Sequence, residues 1–227
     1  SAGDAFTATH LTLASGASTT MTAAQHNGFS GTVTAAGTEQ ITLTDAGTVT
    51  GESVIETYVL AGTGNVFTLG AAGQSVNTGS GGSNTVDVAA LTATGTFTTQ
   101  TSDTIKISNG GNIAGAVKSG GSAGDAFTAT HLTLASGASA SMTRLQNNGF
   151  SGTVSAAGTN TLTMTTAGAV TALSGIEEYV LAAGAQTITL ADAAQNVTAN
   201  STGGSGLITI DTGSLTSVTG TFDDNSG

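Results

Sequence analysis

Pairs of large apolar residues two positions apart punctuate the chain. They are Leu11/Leu13, Ile41/Leu43, Phe67/Leu69, Val86/Val88, Ile105/Ile107, Leu132/Leu134, Leu162/Met164, Ile188/Leu190 and Ile208/Ile210. Residues i and i+2 of a strand share one face, so each pair marks a short strand with one apolar side. Thr fills many alternate positions, as at Thr42/Thr44, Thr161/Thr163 and Thr187/Thr189, and marks the outward side. Successive pairs lie 30, 26, 19, 19, 27, 30, 26 and 20 residues apart. A step near 20 is one coil of a β-solenoid, and the longer steps read as coils carrying loop insertions. The pattern therefore predicts an all-β chain folded as a right-handed parallel β-solenoid (β-helix). Nine coils at the usual strand spacing make a rod about 43 Å long. Ile105 and Ile107 are expected in the core, stacked on Val86 and Val88, because a 19-residue step closes one coil.

The alternative fold is two tandem β-sandwich domains of about 120 residues each. Sandwiches need longer antiparallel strands and a large aromatic core. Here the runs are short, aromatics are 4% of the chain, and turns of Gly, Ser, Asn and Ala follow every run. Two insertions read as short helices. Thr22 suits an N-cap and Gly28 a C-terminal stop, and the counterpart spans 143–149. Each helix reads as a bump on the rod, with Phe29 and Phe150 returning to the core behind it.

The apolar rhythm is itself repeated. Residues 1–18, SAGDAFTATHLTLASGAS, return letter for letter as 122–139. Tyr58-Val59-Leu60 returns as Tyr179-Val180-Leu181 at the same shift of 121. This divides the chain into a first unit, 1–121, and a second, 122–227, expected to form one continuous rod. Lacking an initiator Met and beginning inside a motif, the chain reads as a segment of a longer protein. Arrays of this kind favour structural or binding roles over catalysis.

Composition narrows the partners. Fourteen acidic against three basic residues give a net charge of −11, which repels nucleic acid and anionic membranes. No apolar stretch approaches a membrane span. The absence of Cys excludes disulfides and cysteine-based zinc sites.

One motif offers metal chemistry. Gly120-Gly121-Ser122-Ala123-Gly124-Asp125-Ala126-Phe127-Thr128 resembles the glycine-rich nonapeptide of RTX proteins, with Ala123 at the third glycine. The first copy, residues 1–7, carries the same turn around Asp4. A weaker match spans 79–87 with Asn84 in place of the acid, and the equivalent near 203–206 has none. The segments IETYVLAGTGNVFTLGAAGQSV, IEEYVLAAGAQTITLADAAQNV and SDTIKISNGGNIAGA are similar to repeats of RTX-like adhesins and S-layer-like proteins. The resemblance implies a type I-secreted, extracellular or cell-surface bacterial protein with a non-enzymatic stalk, matrix or biofilm role. It also implies Ca²⁺ at Asp125 and Asp4. Ca²⁺ needs six to eight oxygens, however, and no second paired nonapeptide lies one coil away, so no cofactor is expected to be required.

Catalytic constellations are thin. His10 and His131 share one repeat position and read as solvated or turn-supporting. His26 becomes Asn147, which argues against a required imidazole. Glu177 and Glu178 are neighbours on a strand and point to opposite faces, so they cannot form a glycosidase pair. Asp223/Asp224 reads as a loop. A polysaccharide-degrading or carbohydrate-binding β-helix is the alternative role, but the three basic residues, at 106, 118 and 144, are scattered. An ice-binding solenoid would use Thr-x-Thr ladders, which Asp87, Lys106 and Asp211 interrupt. The expected function is a spacer or lattice element. Its partners are neighbouring repeats, copies associating end to end or laterally, or surface polysaccharide.

Overall fold

The computed structural model describes residues 7–199 and 207–223. The chain is an all-β solenoid of about 10 turns with only 5% helix. In the first unit the elements run β1 (Leu11–Thr12), β2 (Ser18–Met21), α1 (Ala23–Asn27), β3 (Val33–Thr34) and β4 (Gln40–Leu43). There follow β5 (Thr48–Thr50), β6 (Thr57–Leu60), β7 (Val66–Thr68), β8 (Ser75–Asn77) and β9 (Thr85–Asp87). The unit ends with β10 (Thr96–Thr98), β11 (Thr104–Ile107) and β12 (Val117–Lys118). The second unit repeats the order with β13 (His131–Leu134), β14 (Ser139–Met142), α2 (Arg144–Gly149), β15 (Val154–Ser155) and β16 (Thr161–Met164). It continues with β17 (Gly168–Thr171), β18 (Glu178–Leu181), β19 (Gln186–Thr189) and β20 (Asn196–Ala199). The last described strands are β21 (Ile208–Asp211) and β22 (Phe222–Asp223).

Every pairing between these strands is parallel, which rules out the sandwich. Each coil has three sides. In the first unit one side is the sheet β2-β4-β6-β8-β10-β12 and another begins the sheet β5-β7-β9-β11-β13-β15. After β1 and β3, the third side is built of turns. Thr92 bridges Asn112, and Asn112 bridges Ser141 of β14. That side then continues as the sheet β14-β16-β18-β20-β22.

This geometry explains the long steps in the apolar pattern. Leu11 pairs with Val33, 22 residues on, and Ile41 lies on the next side in β4. Leu132 likewise pairs with Val154, and Leu162 lies on the next side. The steps of 30 and 26 are therefore one coil plus a change of side, not coils swollen by insertions. Counting them as single coils also made the rod one turn too short. The 19-residue steps are true coils: Val86 pairs with Phe67 and with Ile105, and Ile105, Ile107, Val86 and Val88 are all buried.

The helices are coil sides rather than bumps. Thr22 and Thr143 cap them through reciprocal capping boxes with Gln25 and Gln146. α1 packs beside β5 and α2 beside β17, each where a strand would otherwise begin the ladder. Gln146 is buried and its Nε2 donates to Ile113 O at 2.7 Å, while Thr143 Oγ1 donates to Gly124 O. Gly28 ends α1 at a φ of −72°, without the left-handed turn its sequence position suggested. Phe29 and Phe150 are buried behind the helices, as expected.

Candidate functional surfaces

The Asp125 turn is built by its glycines. Gly120 and Gly124 sit at φ +74° and +80°, a region that Cβ-bearing residues rarely adopt. Asp125 Oδ2 accepts from Ser122 N at 2.7 Å, and Asp125 N donates back to Ser122 O at 3.2 Å. One carboxylate oxygen is thus occupied in holding its own loop. Phe127 enters the core against Phe97, ring centroids 5.6 Å apart. Among the described residues no group of three or more His, Cys, Asp or Glu is placed to share a metal. Asp4 and 203–206 lie outside the described residues.

Asn84, the weaker nonapeptide position, does structural work inside the rod. Its Oδ1 accepts from Asn65 N at 2.9 Å, and its own amide donates to Asp103 Oδ1 at 2.9 Å. Asp103, fully buried, also accepts from Thr78 Oγ1 (2.6 Å) and Gln100 N (2.7 Å). Asn65, Asn84 and Asp103 therefore form a column tying three successive coils by side chain to main chain. A second device recurs in both units. Gln74 Oε1 accepts from Gly70 N and Ala71 N, and Nε2 donates to Glu52 O and Ile55 O in the preceding coil. Gln195 repeats all four bonds with Ala191, Asp192, Leu173 and Ile176. Sequence reading missed both devices. The recurrence of Gln at 74 and 195, amid small residues, was the available signal.

The histidines are structural. His131 Nδ1 accepts from Thr153 N, and His10 Nδ1 from Thr32 N, both at 2.7 Å. The imidazole lies so close that a Cβ on Gly152 would come within 2.8 Å of it. His26 is buried beside Tyr58, with Nε2 and Oη 3.1 Å apart. Glu52 N donates to Tyr58 Oη at 2.7 Å, and the phenol oxygen is shared with His26 Nε2, the imidazole tautomer setting which of the two gives the hydrogen. In the second unit Leu173 N donates to Tyr179 Oη, which donates to Asn147 Oδ1. His26 and Asn147 hold the same place beside the phenol of their unit, each with a polar atom within hydrogen-bond reach of it. Burial lowers the His26 pKa and raises those of both phenols. Partial burial also raises that of Glu52.

Among the described residues the acids are spread over separate sites along the rod. Glu56 Oε2 accepts from Glu39 N and Glu177 Oε2 from Asn160 N, equivalent caps between coils. Glu178 accepts from Thr161 and Thr198 hydroxyls on the outer face. Asp87 pairs with Lys106 at 2.7 Å across adjacent coils, and Asp211 Oδ1 accepts from Gly213 N. Asp223 lies in β22 rather than in a loop. A shallow hollow of about 310 Å³ is lined by Ser83, Ser102, Thr104, His131, Thr133, Thr153 and Ser155. A second hollow of about 460 Å³ is lined by Val197, Ala199, Ile208, Ile210, Phe222 and Asp223. Among the described residues no helix is long and apolar enough to cross a membrane. No family model, no curated protein and no solved structure matches the chain.

Proposed function

We propose that the chain is a non-catalytic spacer of an extracellular bacterial surface or matrix protein. The observation that carries this reading is the seamless join between units. β13, the first strand of the second unit, pairs with β11, the last long strand of the first, over four residues. Ile105 lies opposite Leu132 and Ile107 opposite Leu134, so one core runs through the boundary. A hinge or globular domain would interrupt such a stack. The residues with chemical potential are spent on stiffness: Asp103, Gln74 and Gln195 bond coil to coil, and His131 holds a backbone amide. The outer faces carry columns of Ser, Thr and Asn with few charges, suited to hydration along a rod. The RTX-like turn and the adhesin-like segments point to export and surface display.

Two measurements test the proposal together. Small-angle scattering should give a rod whose length approaches that of about ten strand spacings, ~48 Å. Antibodies against the chain should label intact cells of the source organism, and external protease should remove the label. Label seen only after lysis would overturn the surface role while leaving the rod intact.

A further inference from the structure

We propose that the hollow at the joint between the two units is a binding site for a neutral, hydroxyl-rich glycan. It has a volume of about 310 Å³ and lies on the outer face of the sheet that holds β9, β11, β13 and β15. That volume is at the low end of those that hold small ligands.

Neither unit makes this hollow alone. Ser83, Ser102 and Thr104 come from the last coils of the first unit. His131, Thr133, Thr153 and Ser155 come from the first coils of the second, with His10, Thr12, Thr32 and Thr34 as their counterparts at the shift of 121. Strand pairing brings the two halves together, since Thr104 lies opposite His131 and Thr133 opposite Ser155. Neighbours across such a ladder are about 4.8 Å apart, so the polar groups share one patch.

The chemistry of the lining selects the ligand. Thr153 N donates to His131 Nδ1 at 2.7 Å, so the ring hydrogen sits on Nε2, which is left to donate to a ligand. Ser102 Oγ accepts from Ser83 N at 3.2 Å and keeps its own hydrogen to give. Thr104, Thr133 and Ser155 add hydroxyls, each a donor and an acceptor. Two positions on from Thr104, Lys106 is paired with Asp87 at 2.7 Å, and neither residue lines the hollow. An anionic polymer therefore finds no free cation in the lining and meets a chain of net charge −11. A metal ion finds no carboxylate there. A ligand with many hydroxyls and no charge matches every group present. No Tyr, Trp or Phe lines the hollow, so binding rests on hydrogen bonds and is weak at one site. In a longer array each joint would repeat the site, and a polymer spanning several would gain by multivalency. The inference goes beyond the spacer reading, and the rod stands if the site fails.

Nuclear magnetic resonance of the whole isotope-labelled chain tests it. The probes are hexasaccharides of α-1,4-glucan, β-1,4-glucan, β-1,3-glucan and β-1,4-mannan, with a polygalacturonate hexamer as the anionic control. At least one neutral probe should shift the amides of Thr104, His131 and Thr153 saturably, and the anionic one should not. The double variant Thr104→Val with Thr133→Val should weaken that binding by about tenfold, the loss of two neutral hydrogen bonds. Thr42→Val with Thr98→Val, the same change on the outer face of β4 and β10, should leave it unchanged. Should the first variant fail to fold, the His131 Nε2 resonance of the unaltered chain decides, because only a ligand in the hollow accepts from that nitrogen. No saturable shift with any neutral probe would overturn the proposal. So would equal loss in both double variants, shifts spread over all three sides of the rod, or an unmoved His131 Nε2.

Discussion

Tyr58 and Tyr179 hold the same place in their units, 121 residues apart, yet stack in different sheets on different sides of the rod. Tyr58 lies in β6, between Ile41 and Val76; Tyr179 lies in β18, between Leu162 and Val197. The sheet of β6 ends at β12, and the sheet of β18 begins at β14 on the side that had been turns. Each unit therefore stops one side short of a whole number of coils, and the next unit starts rotated by one side. α1 precedes β5 on one side and α2 precedes β17 on another, so the helices interrupt different ladders in turn. In a longer array three units would restore the original orientation.

The glutamine clamp should be a large local contribution to stability. Gln195→Leu keeps the volume but leaves Leu173 O, Ile176 O, Ala191 N and Asp192 N without their partner. Buried unpaired groups cost about 1–3 kcal/mol each, so a loss of about 3 kcal/mol or more is expected in urea unfolding. Gln195→Glu, which keeps the acceptor and loses the donor, should fall between. A loss below about 1 kcal/mol would mean that water replaces the side chain.

Deleting 143–148 should collapse cooperative unfolding of the second unit. The deletion removes the bonds of Gln146 to Ile113 O and of Thr143 to Gly124 O, and it uncovers β17. Circular dichroism of the deleted chain should show lost β signal and a broadened melt. An unchanged signal would restore the picture of the helix as a surface bump.

His26 makes stability depend on pH, with a definite sign. Burial lowers its folded pKa below the unfolded value near 6.5, so the unfolded state takes up more protons as the pH falls. The stabilisation is present above about pH 6.5 and is lost below it, toward the folded pKa. His26→Asn copies the second unit and removes the titration while retaining an acceptor for Tyr58. Between about pH 7.5 and pH 5 the wild type should lose more stability than this variant. Equal losses would show that folding leaves the proton affinity of His26 unchanged.

Calcium should matter little to folding. Asp125 Oδ2 already accepts from Ser122 N, and one carboxylate with backbone carbonyls makes a site no tighter than about millimolar. Thermal melts in chelator and in several millimolar CaCl₂ should coincide within a few degrees, and Asp125→Asn should follow both. A midpoint raised by tens of degrees, or a chain unfolded in chelator, would make this a calcium-switched stalk.

Much of the architecture was legible in the residues. Period-two apolar pairs place Ile105 and Ile107 on Val86 and Val88 whatever the remainder of the chain does, because strand pleat fixes which side chains share a face. The capping residues Thr22 and Thr143 located both helices for the same local reason. Strand alternation likewise separates the side chains of Glu177 and Glu178, which bond to Asn160 N and to the Thr161 hydroxyl respectively. Which side of the rod a strand occupies was decided only by the fold. An apolar pair looks the same on all three sides, so Leu11-to-Ile41 read as one coil when it was a coil and a turn of the corner. The interior bonds of Gln74, Asn84 and His26 were equally hidden. Their partners in other coils lie 19 to 32 residues away, and only the stacking of coils brings these polar groups together.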